Sequence, residues 1–257
     1  MIRILDEQAL EKGAWSENFL TLVENTFSED GNLIKELGFE YRAEQGAMAM
    51  SVAKSLLGDT HLIVEAGTGV GKSLAYLIPA ILFARLTKRP CVVATNTISL
   101  QEQLLEKDVP AVRDLFSRSP GMNEYADFRC ALLVGRANYL CSNRLSRALI
   151  GQSDLFENRQ RDELQRISEW EQSGPVEGIR QELSPTPMSA VWESVNADSS
   201  LCSSKSCQPE NCHYRKARSL VDQADVIIVN HSLFFSLMGA GAGPEGEEDG
   251  ILFPNDF

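Results

Sequence analysis

Short apolar runs alternate with longer amphipathic stretches along this chain. The runs His61–Val64, Cys91–Thr95, Ala131–Val134 and Val226–Val229 have the length and composition of buried strands. The longer stretches repeat apolar residues at helical spacing, and they predict helices at Glu44–Leu57, Ser73–Leu86, Ile98–Lys107, Asn138–Leu149, Asn158–Trp170 and Tyr214–Ala224. Strands that alternate with helices predict an α/β fold, with a parallel sheet covered by helices on both faces.

A glycine-rich segment, Glu65–Ser73, joins the first apolar run to the helix that follows it. A strand, a glycine-rich loop, Lys-Ser and an apolar helix are the parts of a phosphate-binding loop, although Ala66 stands where the strict motif has glycine. Lys72 would reach the β and γ phosphates, the Ser73 hydroxyl would ligate Mg²⁺, and the helix terminus would favour the anion. The predicted nucleotide contacts in this loop are Gly67, Thr68, Gly69, Val70, Gly71, Lys72 and Ser73, with Lys72 and Ser73 also predicted to be catalytic.

Composition narrows the classes of protein that this chain can be. It has 257 residues and a formal net charge of −12, which argues against a surface that coats nucleic acid indiscriminately. It contains no apolar run long enough to cross a membrane, a span that needs about 18 residues. The first residues are acidic where a signal peptide needs a basic start, so we expect a cytoplasmic protein.

Six cysteines in such a chain do not predict a disulfide framework. Cys91 and Cys130 lie in or beside apolar runs and are interpreted as small core residues. The other four stand in polar or amphipathic sequence: Cys141, Cys202, Cys207 and Cys212. Four thiolates suit either a 4Fe–4S cluster or an all-cysteine zinc site. The absence of Cys-x-x-Cys pairs and the wide gaps favour the cluster, but spacing alone leaves zinc, or no metal, open.

Together these features resemble the iron–sulfur helicases of superfamily 2, of the XPD and DinG type, over residues 27–257. The segments in register are Glu40–Gln45 (the Q motif), Ala66–Ser73 (motif I), Thr95–Thr97 with Leu100–Leu104 (motif Ia), Gly135–Cys141 (the first cluster ligand) and Ala224–His231 (the return to the core). The resemblance implies a RecA-like motor domain begun at 1–120, a mostly helical iron–sulfur insertion at 121–221, and a return to the motor at 222–257.

The resemblance also implies the activity and its cofactors. The expected function is ATP-dependent unwinding of DNA, with 5′ to 3′ translocation, in repair or replication, on single-stranded or forked DNA. ATP and Mg²⁺ would bind at the phosphate loop, with Gln45 reading adenine and Arg42 beside it, and a 4Fe–4S cluster would bind Cys141, Cys202, Cys207 and Cys212. The implied DNA contacts are Thr95, Asn96, Thr97, Gln101 and Arg136.

Hydrolysis in this family requires an Asp-Glu pair after an apolar strand. The strand Val226–Val229 is followed instead by Asn230 and His231. We therefore expect the chain to be the amino-terminal part of a helicase that ends before its Asp-Glu-Ala-His box, to need the carboxy-terminal motor domain of the same protein, and to hydrolyse little ATP alone. Two alternatives remain: a non-catalytic module that binds nucleotide and DNA around a structural cluster or zinc, and a redox sensor.

Overall fold

A computed structural model describes residues 7–150, 158–202 and 211–239. The helices are α1 (Glu7–Phe27), α2 (Asn32–Leu37), α3 (Ala43–Gly58), α4 (Lys72–Thr87), α5 (Ile98–Gln103), α6 (Val109–Arg118), α7 (Ser142–Ile150), α8 (Asn158–Gln172), α9 (Ser189–Val195), α10 (His213–Val221) and α11 (His231–Gly239). The strands are β1 (Cys91–Thr95), β2 (Cys130–Leu132) and β3 (Val226–Asn230). The predicted α/β class is confirmed, with one parallel sheet in the order β1-β3-β2.

The chain divides into two compact units. Among the described residues, the first unit contains 7–130 and 224–228, and the second contains 131–150, 158–202, 211–223 and 229–239. The domain bounds expected from the resemblance stay a prediction. No helix within the described ranges is long and apolar enough to cross a membrane.

Helix α4 lies at the centre of the first unit. Leu77, Ile78, Ile81 and Leu82 have no exposed surface, so the helix is apolar nearly all round. Helix α3 packs against it, and α1 contributes edge-to-face aromatic contacts to Phe83. An apolar helix is stable in water only when other elements pack around it, and this packing also holds its first turn in place.

The second unit has its own core beneath α7, α8 and α9. Eight buried side chains form this cluster: Leu140, Leu145, Leu164, Ile167, Leu183, Val191, Trp192 and Val195. Leu164 and Ile167 lie three residues apart on α8, and Val191 and Val195 lie four apart on α9, so each of these two helices contributes one apolar face. The cluster anchors the segment that leads into Cys141.

One strand prediction is wrong. Residues 61–64 form no strand, and the Ile63 side chain is 97% exposed. A parallel strand depends on hydrogen bonds from neighbours in its sheet, and none of the strands in the described part of the chain pairs with this run. Strands β1 and β3 are confirmed, and β2 begins one residue earlier and ends two residues earlier than Ala131–Val134.

Cys91 is only half-buried, because β1 is an edge strand of the described sheet. Its pKa is nevertheless raised to about 12, mainly by burial and further by the neighbouring Cys130. A raised pKa keeps a thiol protonated at neutral pH, which suits a structural role for Cys91. Cys130 is half-buried as well.

The helix predicted over Ile98–Lys107 continues further than expected. After α5 the chain forms a π-helical turn, Leu104–Asp108, and then runs directly into α6. Pro110 lies in the first turn of α6, directly after the π-helical turn. The helix predicted over Asn138–Leu149 begins only at Ser142, because residues 139–141 are extended and paired. The sequence reading also missed α1, α2, α6, α9 and α11.

We predict that Ile167→Ala lowers the stability of the second unit by about 2–5 kcal/mol, because it leaves a cavity in a closed apolar cluster. Ile150→Ala is the matched control, since Ile150 is 85% exposed and its loss should change stability by no more than about 0.5 kcal/mol. Urea unfolding followed by tryptophan emission measures both. Equal unfolding midpoints for the two variants would contradict this description of the core.

Candidate functional site

The phosphate loop needs glycine at two of its positions. Gly69 and Gly71 have φ angles of +85° and +83°, in the left-handed region that side chains rarely adopt. Gly71 is also crowded, because a Cβ there would lie 2.2 Å from Gln45 Nε2. Gly67 has neither constraint. The third glycine is therefore not needed for the conformation of the loop itself.

Three side chains hold the carbonyl groups of this loop. Gln45 Nε2 donates to the Gly71 carbonyl oxygen at 2.8 Å, and Lys72 Nζ donates to the Ala66 carbonyl oxygen at 2.9 Å. Arg42 Nη1 donates to the carbonyl oxygen of Gly69. A bound nucleotide would have to draw the Lys72 ammonium away from its own loop. Gln45 of α3 and Arg42, the residue that precedes α3, hold the loop from outside it.

Gln45 is not the helix-surface residue that its sequence context alone would favour. Its side chain is only 7% exposed, because its amide group is turned toward the phosphate loop. One amide N–H is occupied by Gly71. The contact of Gln45 with adenine stays a prediction, but its side chain is hydrogen-bonded to the phosphate loop.

The first turn of α4 has the features of an anion site. The helix begins at Lys72, and its N-cap residue, Gly71, has no side chain that could cap the exposed N–H groups. Unsatisfied N–H groups and the helix dipole favour a negative ligand at this point. The sequence-predicted positions of Lys72 and Ser73 therefore fall in the first turn.

Ser73 has a polar neighbour that sequence reasoning missed. Burial raises the pKa of Tyr76, the hydrogen bond from Ser73 opposes that shift, and the charge of Asp108 adds to it. Asp108, in the π-helical turn, accepts a hydrogen bond from Gln103 Nε2 at 3.2 Å. A tyrosine inside an apolar helix is indistinguishable from a core residue in sequence, so no pattern pointed to it.

The residues predicted to contact DNA after β1 differ in exposure. Thr95 is buried and donates to the Thr97 carbonyl oxygen, and the Thr97 hydroxyl accepts from the Leu100 N–H as the N-cap of α5. Asn96 and Thr97 lie at the surface. Gln101 does not: it is 1% exposed, and neither its Oε1 nor its Nε2 has a hydrogen-bond partner. Gln101 is therefore covered in this structure, and its predicted contact with DNA stays a prediction.

The segment around Cys141 is extended and paired on both sides. Tyr139 pairs with Ile179 and Leu140 with Asn196, in isolated antiparallel bridges. The Cys141 N–H donates to the Val195 carbonyl oxygen at 2.9 Å. Cys141 itself lies opposite Cys212 in a third such bridge, a pairing that places two Cα atoms about 5 Å apart.

Backbone hydrogen bonds also connect the chain before Cys202 to the segment of Cys141. Ala197 N donates to the Tyr139 carbonyl oxygen, and the turn that follows, from Asp198, ends with Cys202 N donating to the Asp198 carbonyl oxygen at 3.0 Å. Cys141, Cys202 and Cys212 form no disulfide. Cys207 lies outside the described residues. Within those residues, no three His, Cys, Asp or Glu side chains are grouped closely enough to hold a metal ion.

The donor set nevertheless suits a thiophilic centre. Two unoxidised cysteines face each other across a bridge, and a third follows a turn that is tied to the same segment. Soft thiolate ligands are what iron–sulfur clusters and zinc prefer. Thiol chemistry and backbone proximity therefore fit such a group.

A polar network that sequence reasoning missed lies next to these cysteines. The Ser142 hydroxyl donates to Glu171 Oε1 at 2.5 Å, and His213 Nε2 lies 3.3 Å from Glu171 Oε2. Burial raises the pKa of Glu171, but the hydrogen bonds from His213 and Ser142 outweigh it and leave the pKa below its usual range. A lone Glu near the end of a polar helix gave no sequence signal.

Aromatic and basic residues near Cys141 and Cys212 are largely structural. Tyr139 is 1% exposed, and its hydroxyl accepts from the Val134 N–H, so it belongs to the core. Tyr214 packs edge-to-face against Tyr139, and the Arg136 guanidinium lies 4.5 Å from the centre of the Tyr214 ring. Arg144 donates to the carbonyl oxygens of Glu193 and Asn196. Of these residues, Arg136 alone was expected to contact DNA.

The end of β3 carries a helix cap in place of a catalytic acid. The Asn230 side-chain oxygen accepts from the Leu233 N–H at 2.7 Å, so Asn230 caps α11. A neutral amide in this role offers no general base and no anionic ligand for Mg²⁺.

Comparisons with known proteins agree with the loop geometry. The family model for DEAD/DEAH box helicases matches residues 47–120. The chain is 33% identical to the ATP-dependent DNA helicase YoaA of Haemophilus influenzae over 91% of its length. It is 36% identical to the ATP-dependent helicase DinG of Mycobacterium tuberculosis, over 78% of its length, and 33% identical to the ATP-dependent DNA helicase DinG of Photobacterium profundum, over 80%.

The phosphate loop at the start of a buried helix lies in the segment, residues 47–120, that matches the DEAD/DEAH box helicase domain. The chain is a homologue of the ATP-dependent helicases named DinG and YoaA. The alignments cover 34%, 32% and 31% of these three relatives in the order named, so the chain spans about a third of their length.

We predict that Gly71→Ala destabilises the first unit by about 1–3 kcal/mol, because it forces a side chain into a left-handed conformation and against Gln45. Gly67→Ala is the control, with an expected change of no more than about 0.5 kcal/mol. In a Gln45→Ala background the clash disappears, so the cost of Gly71→Ala should fall to the backbone strain alone, about 1 kcal/mol. Thermal unfolding of the four variants measures each difference. An unchanged cost in the Gln45→Ala background would show that the two residues are not in contact.

Proposed function

We propose that this chain binds ATP with Mg²⁺ and forms part of a motor that unwinds DNA. The observation that carries the proposal is the loop at the start of α4, whose conformation depends on Gly69 and Gly71 and whose carbonyl groups are held by Gln45 and Arg42. The relatives named ATP-dependent DNA helicases extend the same assignment to nucleic acid.

In this proposal the residues of the loop have separate tasks. The first N–H groups of α4 receive phosphate oxygens, and the Lys72 ammonium moves from the Ala66 carbonyl oxygen to the β and γ phosphates. The Ser73 hydroxyl provides an oxygen for Mg²⁺. Gln45, already turned toward the loop, presents its remaining amide atoms to the adenine edge, with Arg42 beside it.

The chain by itself binds nucleotide but turns it over slowly. Hydrolysis in this class needs an Asp for Mg²⁺ and a Glu that activates water, and the end of β3 supplies an amide that caps a helix. The pair would come from an Asp-Glu-Ala-His box, which is not among these 257 residues, and the carboxy-terminal motor domain of the same protein would supply the opposite wall of the nucleotide cleft. This proposal would make the isolated chain a nucleotide- and DNA-binding module.

Single-stranded or forked DNA is the proposed partner, as in repair or replication in the cytoplasm, with 5′ to 3′ movement as the resemblance implies. The exposed Asn96 and Thr97 follow β1, and side chains of this type position a phosphate backbone without reading sequence. Arg136 would add a positive charge in the other unit. Thr95 and Gln101 would support this surface from inside.

A 4Fe–4S cluster is the proposed prosthetic group, held by Cys141, Cys202, Cys207 and Cys212. The support is the pairing of Cys141 with Cys212 and the turn that ties Cys202 to the same segment. Bound there, the cluster would join distant parts of the chain and so stabilise the second unit. Zinc is the alternative metal for the same four thiolates.

We predict that Lys72→Ala weakens ATP–Mg²⁺ binding by about 10- to 100-fold, because it removes a charged hydrogen-bond donor to the phosphates. Lys54→Ala is the matched control: it removes the same charge from an exposed position of α3 and should leave affinity unchanged. Fluorescence titration with a labelled ATP analogue measures both. Binding that survives in Lys72→Ala, or DNA-stimulated hydrolysis by the wild-type chain alone, would contradict the proposal.

We predict that the chain, purified without oxygen, contains about four irons and a broad absorption band near ~400 nm, as a 4Fe–4S cluster requires. A Ser substitution at any of the four proposed ligands should remove the band. Cys91→Ser and Cys130→Ser are the controls and should retain it. Zinc in place of iron would show that the four thiolates hold the alternative metal. A full set of irons in Cys141→Ser would refute the ligand assignment.

A further inference from the structure

Glu171 joins the two chain segments that carry Cys141 and Cys212. One carboxylate oxygen accepts from the hydroxyl of Ser142, the residue after Cys141, at 2.5 Å. The other lies 3.3 Å from Nε2 of His213, the residue after Cys212. The two partners are distant in sequence from each other and from Glu171, so the carboxylate bridges three separate parts of the second unit.

The position of Glu171 is unfavourable unless it has these partners. It is the penultimate residue of α8, and the carboxyl end of a helix carries partial negative charge, which disfavours an acidic side chain. Its side chain is only 22% exposed and that of His213 only 12%. A half-buried carboxylate of this kind is stable only when hydrogen bonds satisfy it, and Ser142 and His213 do so.

His213 is held from its other side as well. Gly178 has φ of +72°, and a Cβ there would lie 2.2 Å from His213 Nδ1. The backbone of Gly178 therefore covers the nitrogen that does not face Glu171, which leaves His213 poorly placed as a metal ligand. The Gly178 carbonyl oxygen also accepts from the N–H of Leu140 at 2.9 Å, so this contact returns to the segment of Cys141.

The Ser142 hydroxyl completes the connection. It lies 3.3 Å from the carbonyl oxygen of Asn211, the residue before Cys212. Each of the two facing cysteines, Cys141 and Cys212, therefore has neighbours held by the same side chains.

We propose that Glu171 is a positioning residue for the cysteine site. Glu171 holds the neighbours of Cys141 and Cys212, so that both thiols face one point before the metal group binds. The inference rests on the proposed metal site for its functional meaning, but its structural part concerns the metal-free protein. Outer residues that orient ligands in this way typically change metal retention by about 10- to 100-fold.

The test compares Glu171→Ala with Glu169→Ala in the full chain. Glu169 is an exposed acid on the same helix, so the control removes the same charge without touching Ser142 or His213. In metal-free protein, Glu171→Ala should speed amide hydrogen exchange in peptides 140–146 and 211–217 by about tenfold, while exchange in α3 and α4 stays unchanged. In protein loaded anaerobically with iron and sulfide, the band should bleach about tenfold faster or more under a chelator.

A third variant separates positioning from a general loss of folding. Glu171→Gln keeps an oxygen that accepts from Ser142 but replaces the charged partner of His213, so its exchange and bleaching rates should fall between those of the wild type and Glu171→Ala. The visible circular dichroism of the loaded protein should change in Glu171→Gln, because it reports the geometry around the bound group, and the urea midpoint of the metal-free protein should not.

The failures of the two proposals are distinguishable. If the wild type takes up neither iron nor zinc, the proposed metal site fails, and the exchange rates in metal-free protein still decide whether Glu171 holds the two segments. If the wild type takes up metal but Glu171→Ala and Glu169→Ala exchange and bleach alike, Glu171 has no positioning role. If Glu171→Ala fails to fold, wild-type rates in Glu171→Gln overturn the proposal.

Discussion

The nucleotide site of this protein depends on the burial of α4. Leu77, Ile78, Ile81 and Leu82 leave no face of the helix in water, so it cannot shift without exposing apolar surface, at a cost of about 25 cal/mol per Å². Its first turn is thereby fixed at Lys72. The loop before it is then held by hydrogen bonds from Arg42 and Gln45 of the neighbouring chain segment. The apolar packing of α4 therefore determines the position of the polar phosphate loop.

The second unit uses a different constraint for its cysteines. Cys141 lies at the end of an extended segment, where backbone pairing to residues 178–179, 195–197 and 212 replaces a continuous sheet. The buried cluster around Trp192 supports one side of it, and the indole N–H donates to the Ala137 carbonyl oxygen. The polar network of Glu171 ties the other side. Small paired segments of this kind can converge from distant parts of the sequence because each needs only one or two hydrogen bonds.

The nucleotide loop and the surface proposed for DNA each contain a polar side chain whose hydrogen bonding would change when a ligand binds. The Lys72 ammonium bonds to the Ala66 carbonyl oxygen of its own loop, and Gln101 is buried without a partner for either of its polar atoms. An unsatisfied buried amide costs about 1–3 kcal/mol. Gln101 lies on α5, which follows the surface residues Asn96 and Thr97. The π-helical turn after α5 is a distortion that is frequent at functional sites. This region therefore combines an unsatisfied buried amide and a π-helical turn with the surface proposed for DNA.

The sequence by itself determined the α/β class, the glycine-rich loop before α4 and the strands β1 and β3, because each depends on local spacing or on one residue type. It could not reveal that residues 61–64 lack a strand, since a strand exists only with neighbours. It also could not assign Gln45 to the loop, or join Glu171 to Ser142 and His213, because these partners lie 26, 29 and 42 residues apart. Such contacts are decided by packing in three dimensions, on which local sequence patterns carry no information.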